Sequence, residues 1–388
     1  MGHRAYLDWN ATALLRPEAR AAMLAAMDVF GNPSSIHAEG RAARGLIEAA
    51  RRQVAALVGA EPRNVTFTSG GTEANGLALQ PALETGGDKA ARERLLISAV
   101  EHPSVRCGGS FAARAVAAVP VTADGTVDLG ALERVLAAAG RPLVSLMLAN
   151  NETGVIQPVA AAAELVHQAG GLLHVDAVQA AGKIPCDINA LGADLLALSG
   201  HKLGAPKGVG ALVRRSEDLH FADPLIKGGG QERGVRGGTE NVLGIVGFGA
   251  AAATAAAGLE AERARIATLR DRLEAGLTAI SPDAVIFGAG VARLPNTTAF
   301  AVPGVKAETA LIALDLDGVA ASSGSACSSG KVAASPVLAA MGVEPALARG
   351  AIRVSLGFST ADDEVDCFLG AWKKLVQTLR KGTHGKAA

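Results

Sequence analysis

Two rhythms of apolar positions alternate along this chain. Over 41–58, Leu46, Ile47, Ala50, Val54, Leu57 and Val58 recur at three- and four-residue spacing, which predicts a helix stopped at Gly59. Short apolar runs at 64–68, 95–100, 143–149, 172–175, 194–198 and 209–213 have the length of buried strands. Gly70 and Gly71 follow the first of them, with a helix from Thr72, and helical patterns fill gaps such as 129–139 and 159–169. That alternation predicts an α/β fold with a large, mainly parallel sheet covered by helices on both faces. A long helical pattern over 240–277 then leads away from the layer. Strands at 284–287, 297–302 and 352–356, mixed with helices, predict a smaller α+β domain. The expected division is an N-terminal segment (1–15) packing with the small domain, a large domain (16–258) and a small C-terminal domain (259–388). No repeat of 20–50 residues interrupts this order, and no low-complexity linker does.

Composition fits that picture. The chain has 388 residues, 49% of them hydrophobic, enough for two cores. Lys+Arg and Asp+Glu both total 37, which gives no electrostatic reason to expect nucleic acid or an anionic membrane as partner. Cys107, Cys186, Cys327 and Cys367 are far apart, which argues against a disulfide scaffold or a structural zinc site. The first residues lack the apolar core of a signal peptide, and Tyr6 spoils a myristoylation pattern. The uncharged run at 241–259 is mainly Ala and Gly, too weak per residue for a membrane span. A cytoplasmic protein is expected.

Five places carry candidate chemistry. Thr-Ser-Gly-Gly-Thr-Glu (68–73) ends a strand in small residues and opens a helix, where backbone N–H groups can hold a phosphate; an ordinary turn is the alternative. Asp176, in His-Val-Asp-Ala-Val-Gln (174–179), ends an apolar strand. A carboxylate there can keep a pyridinium nitrogen protonated, or simply cap the next helix. Lys202, in Ser-Gly-His-Lys (199–202), follows another strand and suits a Schiff base, although most lysines are solvated surface charges. Cys327 lies among eight Ser, Gly and Ala residues over 322–330, a setting that suits an accessible, mobile thiolate rather than a packed cysteine. Arg353 sits inside an apolar strand and needs an anion. An internal carboxylate or a substrate carboxylate would serve.

The order of these segments, with Tyr6–Thr12, Gly31–His37, Glu101-His102, Asn-Asn-Glu-Thr-Gly (150–154), Gly-Gly-Gly-Gln-Glu-Arg (228–233) and Ile-Arg-Val-Ser-Leu-Gly (352–357), resembles the cysteine desulfurases of the NifS/IscS type within the class V aminotransferase group. The resemblance runs from residue 6 to about 375. It implies the aspartate-aminotransferase type I fold with pyridoxal 5'-phosphate (PLP) as cofactor. Lys202 would hold the cofactor covalently, Asp176 would pair with its ring nitrogen and His102 would stack on the ring. Gln179 and Asn151 would serve its phenolic side. Gly71, Thr72, Ser199, Gly200 and His201 would hold its phosphate, with Thr239 supplied by the partner subunit of a homodimer. Arg353, with Asn151, would bind the carboxylate of L-cysteine. Lys202 would remove the Cα proton and the Cys327 thiolate would take the sulfur as a persulfide, leaving alanine. The sulfur would pass to an acceptor or iron–sulfur scaffold protein, and Cys327 would meet metal only in a cluster shared with such a scaffold. The loop near 322–333 resembles the group with a long mobile cysteine loop. Ala13-Leu14, Asn75-Gly76 and the 236–239 wording depart from the family's commoner residues. Other members of the group, among them aminotransferases, selenocysteine lyases and cysteine-sulfinate lyases, share Lys202 and Asp176; a non-catalytic sulfur scaffold would have no use for Lys202 or Arg353.

Overall fold

The computed structural model describes residues 4–87, 89–324 and 335–384, with side chains as far as Leu379. Seven strands form the main sheet: β1 (Val65–Thr68), β2 (Arg94–Ser98), β3 (Val116–Val119), β4 (Pro142–Met147), β5 (Leu172–Asp176), β6 (Leu195–Ser199) and β7 (Gly210–Arg214), in the order β1-β7-β6-β5-β4-β2-β3. The five strands from β6 to β3 in that order are mutually parallel. β7 runs antiparallel to both β6 and β1. The expected mainly parallel sheet is present, with one reversed strand that apolar periodicity could not reveal. Only 203–209 separate the turn after β6 from β7, too few residues for a crossover helix, so the chain folds straight back.

Side chains alternate across each strand, and this alternation sorts the sheet's two faces. Leu173, Val175, Leu196 and Leu198 pack with helices Ala38–Leu57, Leu129–Leu136, Val159–Gln168 and Val242–Ile280. Leu172, Leu195 and Ala197 pack on the other face with Ala74, Leu77 and Ala78 of helix Gly71–Ala78. Asp176 and Ser199, in phase with that second set, therefore emerge beside the Gly71–Ala78 helix. The long helix pattern starts at its expected place: Asn241 caps it, accepting from Gly244 N–H at 3.1 Å. Its first half buries Ile245, Phe248, Ala251 and Ala255 in the main core, and its second half buries Ile266, Leu269, Leu273 and Leu277 in another. By length and hydropathy it could cross a bilayer, but half of its most apolar window is buried in the protein.

The second core lies under a four-stranded antiparallel sheet, β8 (Val285–Ile286), β9 (Thr297–Ala301), β10 (Ser322–Ser323) and β11 (Ile352–Ser355), ordered β8-β9-β11-β10. Phe300, Phe368 and Trp372 fill it, with Phe300 edge-on to Trp372 at 5.1 Å. The N-terminal segment joins both parts. Ala5–Tyr6 pairs in parallel with Val319–Ala320, and seven residues after Tyr6 the Ala13 N–H donates to the His201 carbonyl at 2.8 Å. Cys327, and with it most of the loop expected near 322–333, lies outside the described residues.

Candidate active site

The carboxyl ends of β5 and β6 open on a cavity of about 670 Å³, within the range of small-ligand sites. Gly71, Thr72, His102, Asn151, Asp176, Gln179, Ser199, His201, Lys202 and Arg353 all line it. Of the other residues singled out from the sequence, the two that are described do not. Gly200 is buried just behind, where a Cβ would meet Val209 Cγ1 at 2.9 Å; Thr239 is exposed on its own chain; Cys327 is outside the described residues.

Asp176 ends β5 with both oxygens engaged. Oδ1 accepts from Val178 N–H at 3.0 Å and Oδ2 from Asn75 Nδ2 at 2.8 Å. Asn75 lies one turn into the helix from Gly71, on the face turned to the sheet, and its Nδ2 also reaches Ser104 Oγ at 2.9 Å. Beneath them Glu101 is fully buried. Burial, and then the Asp176 charge, push its carboxyl well above the ordinary range despite a hydrogen bond from Met147 N–H at 2.7 Å. His102 begins a helical turn, and its Nδ1 accepts from Ser104 N–H at 3.2 Å, which places the ring proton on Nε2. Burial lowers its pKa, with Lys202 adding and Asp176 opposing. His201 is held down to about 4 by burial and then by Lys202, Lys207 and Lys183, so it is neutral at pH 7.

Lys202 follows β6 in a short 3₁₀ turn and points back to the N-terminal segment. Its Nζ donates to the carbonyls of Asn10 at 2.6 Å and Ala11 at 2.7 Å. Asn10 is 1% exposed and joins the two parts of the molecule. Its carbonyl also takes Gln179 Nε2 at 3.0 Å, its Nδ2 donates to Thr297 Oγ1 at 2.9 Å and its N–H to Ser355 Oγ at 2.9 Å. Arg353, from β11, is buried. Nη2 pairs with Asp8 Oδ1 at 2.8 Å, Nη1 donates to the Asn151 carbonyl at 2.9 Å, and Nε is buried without a partner. The internal-carboxylate alternative for Arg353 is the one observed, as an ion pair with Asp8 at the cavity wall.

Asn10, Asn75 and Glu152 were not singled out from the sequence. Glu152 shares the 150–154 turn with Asn151. It accepts from Ser335 Oγ at 2.5 Å, and burial raises its pKa to about 7 against Ser335, Arg353 and Arg106. The signal for Asn75 was its i+4 offset from Gly71, and for Asn10 its place in the opening motif. For Glu152 the signal was its place in the 150–154 motif.

Residues 5–368 match the Aminotransferase class-V family. The chain belongs to that family. Among its relatives, a cysteine desulfurase of Gluconacetobacter diazotrophicus is 45% identical over 97% of this chain and 94% of its own length. An IscS-like cysteine desulfurase of Mycobacterium tuberculosis is 41% identical over 99% of both. The X-ray structure of a NifS-like protein from Rickettsia africae superposes with a TM-score of 0.87 at 36% identity, covering 97% of this chain and 100% of the other.

The family's cofactor is pyridoxal 5'-phosphate, and the cavity suits it. The first turn of the Gly71–Ala78 helix, with Ser199 and His201 beside it, offers donors for a phosphate dianion. Gly71 leaves the space: a Cβ there would come within 2.8 Å of Val178 Cγ2 and 3.1 Å of Ser199 Cβ. The fixed Asp176 carboxylate suits a pyridinium nitrogen, and Lys202 lies on the wall that a carbonyl carbon would need. Volume remains for a small amino acid beside Arg353.

Proposed function

We propose that this class-V protein is a cysteine desulfurase that converts L-cysteine to L-alanine and holds the sulfur on Cys327. One observation carries the reading: Lys202, the Asn75-held Asp176 and Arg353 share one cavity. The relatives' names agree with it.

The cofactor, when bound, supplies an electron-withdrawing ring that makes the Cα–H of a bound amino acid acidic. The rest falls to the chain's own residues. Arg353 binds the substrate carboxylate through the Nη N–H groups left over, while Asp8 and the Asn151 carbonyl keep the guanidinium in plane. Asp176 keeps a positive charge on the ring nitrogen, and the Asn75 bond fixes its direction. Lys202, released from its covalent link, takes the Cα proton at Nζ; the Asn10 and Ala11 carbonyls hold that amine within the cavity. The Cys327 thiolate then attacks the substrate sulfur. An S–S bond forms, the Cβ–Sγ bond breaks with its electron pair left on carbon, and protonation at Cβ followed by return of the Cα proton from Lys202 Nζ yields alanine.

The working unit is a homodimer. Leu24, Met27, Phe30 and Ile36 are 51%, 58%, 85% and 90% exposed, a run of apolar side chains that a second copy would cover. Glu73, in the cofactor-site helix, pairs with Arg236 at 3.0 Å, so the Gly-rich stretch ending at exposed Thr239 lies against that helix and can serve a neighbouring site. The setting is cytoplasmic, where a thiolate stays reduced, and the persulfide passes to an acceptor or iron–sulfur scaffold protein.

Incubation with L-cysteine and a reductant, measuring sulfide and alanine together, tests the reading. Equal amounts of both support it. Transamination products, or alanine released only from cysteine sulfinate or selenocysteine, would replace it with another class-V activity.

A further inference from the structure

Behind the active site lies an amine that the reaction above does not use. Residues 177–184 leave β5 in overlapping turns, with Ala181 N–H on the Ala177 carbonyl at 2.9 Å and Ile184 N–H on that of Ala180 at 3.1 Å. These turns bring Lys183 back beside Gln179. Its Nζ donates to the Gln179 carbonyl and to Gln179 Oε1, both at 3.0 Å, and reaches Asn10 Oδ1 at 3.4 Å. All three acceptors are neutral oxygens. With Oε1 taken, the Gln179 amide has one orientation left: Nε2 faces the Asn10 carbonyl and the main cavity.

Lys202 Nζ rests on that same Asn10 carbonyl at 2.6 Å. The two lysines thus hold the two oxygens of one residue. They also line one small cavity of about 30 Å³ behind the site, room for a water-sized molecule. The charged groups facing Lys183 are mostly cations or already paired. Lys202 and Arg353 oppose its charge, and Arg263 lies on the cavity wall. Arg16 and Glu262 on that wall neutralise each other at 2.8 Å. The Cys186 thiol, raised by burial to about 12, carries no charge at pH 7. Burial, and then Lys202 and Arg353, bring Lys183 down to about 7.

We propose that Lys183 is a positioning residue whose half-buried amine, sharing Asn10 with Lys202, opposes in its protonated form a proton on the Lys202 nitrogen and so favours the form of that amine able to act as a base. Coulomb interaction is reciprocal: what Lys202 does to Lys183, Lys183 does to Lys202. A lysine beside a second cation is a recurrent way to obtain a neutral amine near pH 7. The inference rests on Lys202 being the residue that carries the cofactor.

The test is a pH titration of the visible absorbance of the holoenzyme, without cysteine, for wild type, Lys183→Met and Lys183→Arg. Methionine keeps the stem and removes the charge. Its midpoint is expected to rise by about one pH unit, the equivalent of a tenfold change in proton affinity. Arginine keeps a permanent charge, and its midpoint stays at or below that of wild type. A folded Lys183→Met holoenzyme with an unchanged midpoint overturns the proposal. Should neither variant hold the cofactor, wild-type apoprotein decides. Competitive acetylation of Lys202 against pH, read by peptide mass, must show two steps, and a single step overturns the proposal. Neither measurement involves sulfur transfer, so sulfide assays judge the desulfurase reading separately.

Discussion

Arg353 Nη2 donates to Asp8 Oδ1 at 2.8 Å while Nη1 donates to the Asn151 carbonyl at 2.9 Å, so the arginine reaches the cavity already aimed by two neighbours. Nε remains buried and unpartnered, so a ligand carboxylate meets the Nη N–H groups that these two partners leave over. Arg353→Ala should therefore weaken cysteine binding by at least about tenfold, since charge-assisted bonds of this kind contribute about 1.5–3 kcal/mol. Arg353→Lys should not restore it, because an ammonium cannot replace the planar fork. The measurement is the spectral response to increasing cysteine with PLP bound. An unchanged concentration dependence would leave Arg353 only its ion pair with Asp8.

Lys202→Ala should keep the cavity and lose the covalent link. The Asn10 and Ala11 carbonyls, held elsewhere in the fold, lose a donor but not their place. Borohydride reduction followed by peptide mapping should find no cofactor-bearing peptide. Turnover should fall by roughly 10²–10⁴, the usual worth of a positioned proton-transfer group. A cofactor-bearing peptide containing Lys183 instead would show that the neighbouring amine can take over the attachment.

Much of this site was legible along the chain because it is built at strand ends. Asp176 and Lys202 each follow an apolar run, and Gly71 stands at a strand-to-helix turn; local pattern marks all of them. Legibility fails where partners come together from afar. Arg353 meets Asp8 across 345 residues, and Glu152 meets Ser335 across 183. No period in either segment points to the other. The reversed strand β7 was hidden for a related reason, since apolar periodicity is the same in both chain directions. Lys183 is not legible, because a lysine after a turn looks like any surface charge; only the fold sets it against Gln179 and Asn10.

Glu152 gives a stability prediction with a definite sign. Its folded pKa of about 7 lies above the ordinary 4.5, so between those values the native state holds a proton that the unfolded chain has lost. Stability contributed by this residue is therefore whole below about pH 4.5 and is lost as pH rises towards 7. The full difference is on the order of 3 kcal/mol, from 1.36 kcal/mol per pKa unit. Glu152→Gln keeps an acceptor for Ser335 Oγ and carries no titrating proton. The melting temperature of wild type minus that of the variant should fall between pH 5 and 7 and stay level above. Because His174 and His201 titrate in both proteins, their effects cancel in the difference. A flat difference would mean that Glu152 is ionised throughout, with Arg353 and Arg106 outweighing its burial.

Cys327→Ser should separate the two halves of the reaction. Binding and Cα deprotonation use Arg353, Asp176 and Lys202, which line one cavity. The variant should therefore still change its visible spectrum when cysteine is added. Sulfur transfer needs a polarizable nucleophile that ionises near neutral pH, and a serine hydroxyl has far too high a pKa. Cys186 and Cys367 offer no substitute. The Cys186 thiol is buried and pushed up to about 12, and burial followed by nearby carboxylates raises that of Cys367. Neither alanine nor a protein persulfide should accumulate, as read by amino-acid analysis and intact mass. Alanine released from cysteine at the wild-type rate would make Cys327 a bystander, and the chain a lyase that expels sulfur without a protein thiol to receive it.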